Sequence, residues 1–220
     1  MRIFFLTCVL LFAFSLRMTA QEIFIKTGIN STTYDFRSSD GTKLLDFSSG
    51  MGNSIEMGIG FPFVPKIKKE GAPEKERSYS PNWFKNEVSL NLDSFNSFGG
   101  DQNNNYSWET TYGGITNTLS FLAHIGEVEL GVRGHVGLSG MLSGTQVINT
   151  SRFSLKDKED FKGVFVKTGV GASASYPVFQ RAFLNLTYSY SKSARLGGPE
   201  EEQVRFLSHG FLFGLYVQLK

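Results

Sequence analysis

Taken two residues at a time, the stretch from Val204 to Lys220 separates into two unlike faces. Leu207, His209, Phe211, Phe213, Leu215, Val217 and Leu219 fall on one; Ser208, Gly210, Leu212, Gly214, Tyr216, Gln218 and Lys220 fall on the other. A soluble sheet would turn the greasy face inward and leave the glycines on the solvated face, where they pack nothing and weaken the strand. A small membrane barrel reverses the requirement: lipid takes the large apolar side chains, and a narrow lumen takes glycine, serine and paired polar groups.

The same alternation predicts seven earlier strands. The first, about Glu22 to Phe36, sets Ile23, Ile25 and Ile29 against Phe24, Lys26, Gly28 and Asn30. The second, about Asn53 to Phe63, sets Ile55, Met57, Ile59, Phe61 and Phe63 against Ser54, Glu56, Gly58 and Gly60. The third, about Trp83 to Phe95, sets Phe84, Val88, Leu90 and Leu92 against Lys85, Glu87, Ser89, Asn91 and Asp93, with a break in rhythm at Asn86. The fourth, about Trp108 to Ala123, turns at His124-Ile125-Gly126 into a fifth, Val128 to Ser139, in which Glu129, Arg133 and His135 oppose Leu130, Val132 and Val136. The sixth covers about Gly163 to Tyr176, and the seventh Ala182 to Ser193. With Val204 to Lys220 these make eight strands, each long enough for the roughly 9 to 11 residues a tilted membrane strand needs. The predicted fold is an all-β, eight-stranded antiparallel up-and-down transmembrane β-barrel.

The connections fit a barrel whose termini lie on the periplasmic side. Long polar stretches at about 37 to 52, 96 to 107, 140 to 162 and 194 to 203 are the predicted external loops, and 124 to 126 and 177 to 181 are short inner turns. The inner connection from Val64 to Asn82 breaks that rule. It mixes prolines with charges of both signs, and Lys66, Lys68 and Lys69 stand next to the predicted interface, where they are candidates for docking a periplasmic or membrane partner.

The amino terminus adds a compartment. Arg2, the apolar run Ile3 to Leu16 and then Arg17-Met18-Thr19-Ala20 predict a signal peptide over residues 1–20, cleaved after Ala20, followed by one barrel domain over 21–220. Cys8, the only cysteine, lies inside that signal, so no disulfide is expected in the mature chain. Removing residues 1–20 takes away Arg2 and Arg17 and no acid, so 22 basic and 20 acidic residues become 20 and 20. A balanced chain argues against a nucleic-acid partner. The 24 glycines, 21 phenylalanines and 8 tyrosines suit strands, tight lumens and membrane interfaces.

The opening EIFIKTGINSTTYDF, the Gly58-Ile59-Gly60 and Gly169-Val170-Gly171 repeats and the closing FLFGLYVQLK together resemble the short barrels called outer-membrane protein β-barrel domain or PorT-like proteins, and more distantly the OmpA-type and OmpX-type barrels. The resemblance covers the whole mature chain and is one of pattern. It implies a bacterial outer-membrane location and says little about activity.

Candidate chemistry concentrates in the predicted lumen. Inward parity puts Lys26, Glu56, Glu87, Glu129, Arg133 and Lys167 inside a barrel barely wide enough for side chains. Three acids and three bases so confined must pair, since an unpaired buried charge costs several kcal/mol. Enzymatic alternatives find little support. Ser208 and His209 are adjacent on a strand and point to opposite faces, so they cannot form a dyad. His124, His135 and His209 are scattered without metal-site spacing, and Gly-x-Gly without a following helix makes no phosphate loop. No cofactor is expected. Trp83, Phe84, Tyr176 and Phe179 are read as the inner aromatic girdle, and Tyr34, Trp108, Tyr188 and Tyr190 as the outer one. The expected role is structural or interaction work in the envelope, in contact with outer-membrane lipid and with other outer-membrane or periplasmic proteins. A narrow transport channel is the alternative, and a lipid-modifying enzyme a third.

Overall fold

Strand pairing closes on itself in the computed structural model, which describes residues 22–37, 47–63, 83–100, 105–156, 158, 161–197 and 203–219. The described strands are β1 (Glu22–Arg37), β2 (Phe47–Phe63), β3 (Phe84–Gly100), β4 (Asn105–Ile125), β5 (Val128–Ile148), β6 (Ser151–Ser154), β7 (Val164–Phe179), β8 (Ala182–Arg195) and β9 (Gln203–Gln218). Each barrel strand pairs antiparallel with its sequence neighbours, β5 with β7 across the short β6, and β1 pairs with β9, so the sheet has no free edge. The barrel is therefore eight-stranded and up-and-down, with β6 an appendage on the end of β5. Closure is what allows a sheet to enter lipid, because an open edge would leave backbone groups unsatisfied there.

Burial is inverted relative to a soluble sheet. Ile25 is 52% exposed, Leu90 58%, Val132 68% and Phe213 55%, while Lys26, Thr32, Ser97 and Ser120 on the other face are essentially buried. Apolar area left in water costs roughly 25 cal/mol per Å², so a belt of Ile, Leu, Val and Phe around the whole outer wall is stable only against hydrocarbon. Adjacent positions on β9 show the alternation: Phe211 is 53% exposed and Leu212 8%.

Two of the connections at the end where β1 begins and β9 ends, here the turn end, are two-residue turns, β4 to β5 and β7 to β8. Ile125 pairs with Val128, and Gly126 takes the positive φ of 62° that this tight connection requires. The other end, the loop end, differs from expectation. Segments read as external loops continue as strands: β2 starts at Phe47, β3 runs to Gly100, and β5 runs to Ile148 before doubling back through Asn149, at φ 53°, into β6. The apolar alternation stops there because nothing outside the bilayer requires a greasy outer face, while the backbone ladder continues. At about 3.3 Å per residue and a tilt near 40°, 21-residue strands such as β4 and β5 rise about 50 Å, well beyond the ~30 Å hydrocarbon layer. Residues 1–21, with the expected signal and its cleavage point, and 64–82, with Lys66, Lys68 and Lys69, lie outside the described residues.

Candidate functional site: two layers in the lumen

The lumen is filled in layers, and the lowest, at the turn end, is ionic. Glu87 on β3 stands at its centre. One carboxylate oxygen accepts from Lys26 Nζ at 3.1 Å and from the Arg133 guanidinium; the other accepts from the Tyr216 hydroxyl at 2.8 Å. Lys26 also reaches Glu56 at 3.3 Å, and Lys85 bridges Glu22 and Glu87. The layer thus holds Glu22, Glu56 and Glu87 against Lys26, Lys85 and Arg133. Aromatic faces cover the cations: the Lys26 ammonium sits 4.3 Å from the Phe24 ring centroid, Lys85 sits 3.9 Å from that of Tyr216, and the two rings stack at 4.9 Å. Cation–π contact of this kind strengthens when water is excluded.

The strands that flank these long side chains on the β7–β9 side supply short ones. Gly214 on β9 lies against Lys26 so closely that an added Cβ would come within 2.7 Å of its Cγ. Arg133 on β5 reaches past β7 to donate to Thr187 Oγ1 on β8 at 2.8 Å, and Thr187 in turn bonds Asn185 at 2.7 Å. A small cross-section thus accepts six charged groups because one side of the wall supplies Gly, Ser and Thr.

Above the ionic layer lies a second, smaller polar group. Asp93 accepts from Lys167 at 2.8 Å, Ser54 at 2.8 Å and Asn91 at 2.6 Å, and Asn30 donates to Ser54 at 2.9 Å. A polar cavity of about 50 Å³ runs beside it, lined in part by His135, Glu56 and Arg133. That is room for a few water molecules.

An aromatic layer caps the lumen at the loop end. Phe206 on β9 is fully buried at its centre, with ring centroids 4.8 Å from Tyr34, 5.1 Å from Phe95, 5.3 Å from Tyr112 and 5.3 Å from Phe165. Val204, Leu155 and Phe161 complete the cluster, and Trp108 and Met141 pack against it. Leu155 and Phe161 follow β6 and fold back into the mouth, held in part by Leu155 N–H donating to Gly144 C=O at 3.0 Å. The Tyr34 hydroxyl bonds the Phe95 carbonyl and the Thr110 hydroxyl, each at 2.8 Å, while the buried Tyr112 hydroxyl has no hydrogen-bond partner among the described residues.

Four of the six charged residues expected from sequence meet: Lys26, Glu56, Glu87 and Arg133. Lys167 is inward, but it pairs with Asp93 in the group above. Glu129 is also inward and stands at the turn-end edge of the layer, where its carboxylate lies 3.4 Å from His124 Nε2 and within electrostatic reach of Lys85 and Glu22. Glu22, Lys85, Asp93 and Tyr216 belong to the filling although the charge set omitted them; all share the inward parity of their strands, the signal that identified the others. Tyr34 and Trp108 are corrected. Tyr34 is 2% exposed and lies inside the lumen, with Trp108 stacked on it at 5.7 Å, and neither forms part of an outer girdle. Trp83, Tyr176 and Phe179 are exposed near the turn end, and Tyr188 and Tyr190 are exposed on β8. Ser208 is buried and His209 is exposed, bonded through Nδ1 to the Tyr188 hydroxyl at 2.9 Å, so the two do point to opposite faces.

No family profile matches the chain, and neither does any curated protein. Among solved structures it is similar to Neisserial surface protein A, at 14% identity over 90% of this chain and 97% of that one with a TM-score of 0.49. The outer membrane protein OprG from Pseudomonas aeruginosa is similar at 11% identity over 92% and 97%, with a TM-score of 0.41. The outer membrane protease OmpT from Escherichia coli is similar at 8% identity over 92% and 98%, with a TM-score of 0.46. The assignment of this chain as a small outer-membrane-type β-barrel rests on its own closed strand pairing and outward apolar wall.

Proposed function

We propose that the protein is a sealed outer-membrane β-barrel of a bacterial envelope that works as a structural or interaction element, with the loop end outward. The observation that carries this reading is the filling of the lumen in series, an ionic layer at one end and an aromatic layer at the other, each spanning the cross-section. A solute would have to break both, and the ionic layer resists because separating its charges leaves them unpaired in a dry interior. A narrow channel is the second reading, favoured only by the polar cavity between the layers. The hydroxyl–carboxylate contacts of the filling, Tyr216 on Glu87 and Ser54 on Asp93, are buried among paired charges and polar neighbours, which is the reason for not proposing an enzyme.

The processed chain is expected to fractionate with outer membranes and to migrate differently on detergent gels before and after boiling. Recovery from the soluble periplasm would overturn the membrane reading in favour of a lipocalin-like barrel. The interaction role has its own test in Lys66, Lys68 and Lys69. Replacing Lys66 to Arg77 with a Gly-Asn turn keeps every residue of the described wall. The expected result is an intact barrel that loses proteins co-purifying in mild detergent, and retention of all of them would remove this segment as the docking site.

A further inference from the structure

The outer wall carries a trough where β5 meets its neighbours. Its floor is Gly134, which faces lipid: a Cβ built there meets nothing within 4 Å. One ladder row across the wall reads Leu119, Gly134, Val170, Tyr190, and the adjacent row reads Asn117, Val136, Thr168, Lys192. The trough is thus about one side chain deep. Leu119 and Phe121 flank it on the β4 side and Val170 on the β7 side, with Thr168, Tyr190 and Lys192 at its far end.

Its ends lie at different depths in the bilayer. Phe121 is close to the β4–β5 turn, and its ring packs on Phe84 at 5.6 Å. Lys192 is ten residues along β8 from Ala182, at the turn end. On strands tilted near 40° that places Lys192 about 25 Å above the turn end and about 15 Å above Phe121, at the interface on the loop side. Lys192 is exposed, its outward-facing ladder partners are Thr168 and Leu207, and among the described residues no carboxylate pairs with it.

Hydrocarbon must fill such a depression, because an empty trough in lipid forfeits contacts along its whole length. A width set by one missing side chain suits a single acyl chain, which gains apolar contact from both flanks; a protein helix or strand is too broad to reach the floor. A cation at the interface end attracts a negative headgroup. We propose that this trough binds one anionic, phosphate-bearing acylated lipid of the outward leaflet, its acyl chain over Gly134 and its phosphate at Lys192, with the Thr168 and Tyr190 hydroxyls beside it; phosphatidylglycerol serves as the probe.

Native mass spectrometry of the full processed barrel, incubated in detergent with equal phosphatidylglycerol and phosphatidylcholine of the same chains, tests this. The wild type is expected to retain one phosphatidylglycerol in preference to phosphatidylcholine, and Lys192→Gln to reduce that preference about fivefold, as the loss of one interfacial cation implies. Gly134→Leu fills the trough and is expected to lose the retained lipid of either kind while keeping heat-modifiable migration, since the new side chain enters open space. Should Gly134→Leu fail to fold, Lys192→Gln, at an exposed position, carries the test alone. Equal retention of the two lipids by the wild type, an unchanged preference in Lys192→Gln, or undiminished retention by folded Gly134→Leu would each overturn the site.

Discussion

The two ends of the lumen are closed by opposite chemistry. At the turn end, within the thickness of the bilayer, the filling is a lattice of paired charges centred on Glu87, and at the loop end, where the strands rise past the hydrocarbon, it is a cluster of aromatic rings centred on Phe206. The outer surface shows the reverse arrangement, greasy around the bilayer and more polar beyond it, where Phe98, Leu142 and Phe153 are among the exposed apolar exceptions. Each level of the barrel therefore pairs unlike inner and outer faces. Where lipid already surrounds the wall, polar filling gives the strands one inner and one outer face and so fixes their register, since a one-residue slip would push Lys26 or Glu87 into hydrocarbon. Where water surrounds the wall, only an apolar interior can hold the strands together, as in an ordinary soluble core.

The contrast predicts different responses to cutting each layer. Glu87→Gln should be the most damaging substitution, because it leaves Lys26, Lys85 and Arg133 facing only Glu22 and Glu56. A loss of about 3–5 kcal/mol is expected, read as a lowered unfolding midpoint in detergent micelles. Phe206→Ala should cost about 3 kcal/mol and weaken the near-ultraviolet circular dichroism of the aromatic cluster, while leaving the membrane-level barrel heat-modifiable. A collapse of the whole barrel in Phe206→Ala would show that the loop-end core is not separable from the charged layer. Lys167→Met should cost only about 1–2 kcal/mol, since Asp93 keeps its bonds from Ser54 and Asn91. Glu129→Gln, at the edge of the layer beside the partly exposed His124, should shift the midpoint by about 1 kcal/mol or less. A large effect at Glu129 would place it back inside the layer.

The two layers were also unequally legible in the sequence. Period-two alternation located all eight barrel strands and put Lys26, Glu56, Glu87 and Arg133 on one inner face, because lipid forces a strict rhythm on the outer positions. The same count, continued past the greasy run, reaches Tyr34, Phe95, Phe165 and Phe206 on the inward parity of β1, β3, β7 and β9. All four stand inside the predicted strands, but the outward residues beside Tyr34 and Phe95 are polar and no greasy rhythm marks a core at that level, so Tyr34 is assigned to a girdle when it belongs to the core. Leu155 and Phe161 could not have been found this way. They enter the lumen from the segment after β6, and no local pattern announces that a loop folds back. Glu129 shows a third limit: parity gives the face of a residue but not its height, and the β4–β5 hairpin sets it at the turn-end edge of the layer.

The most direct test of the central claim, a lumen closed twice in series, is single-channel recording in planar bilayers. Wild-type protein, Glu87→Ala alone and Phe206→Ala alone are each expected to give no conductance steps, because one layer remains in each, while the double variant, if it inserts, conducts. Discrete steps from the wild-type barrel would contradict the account and make the protein a narrow channel.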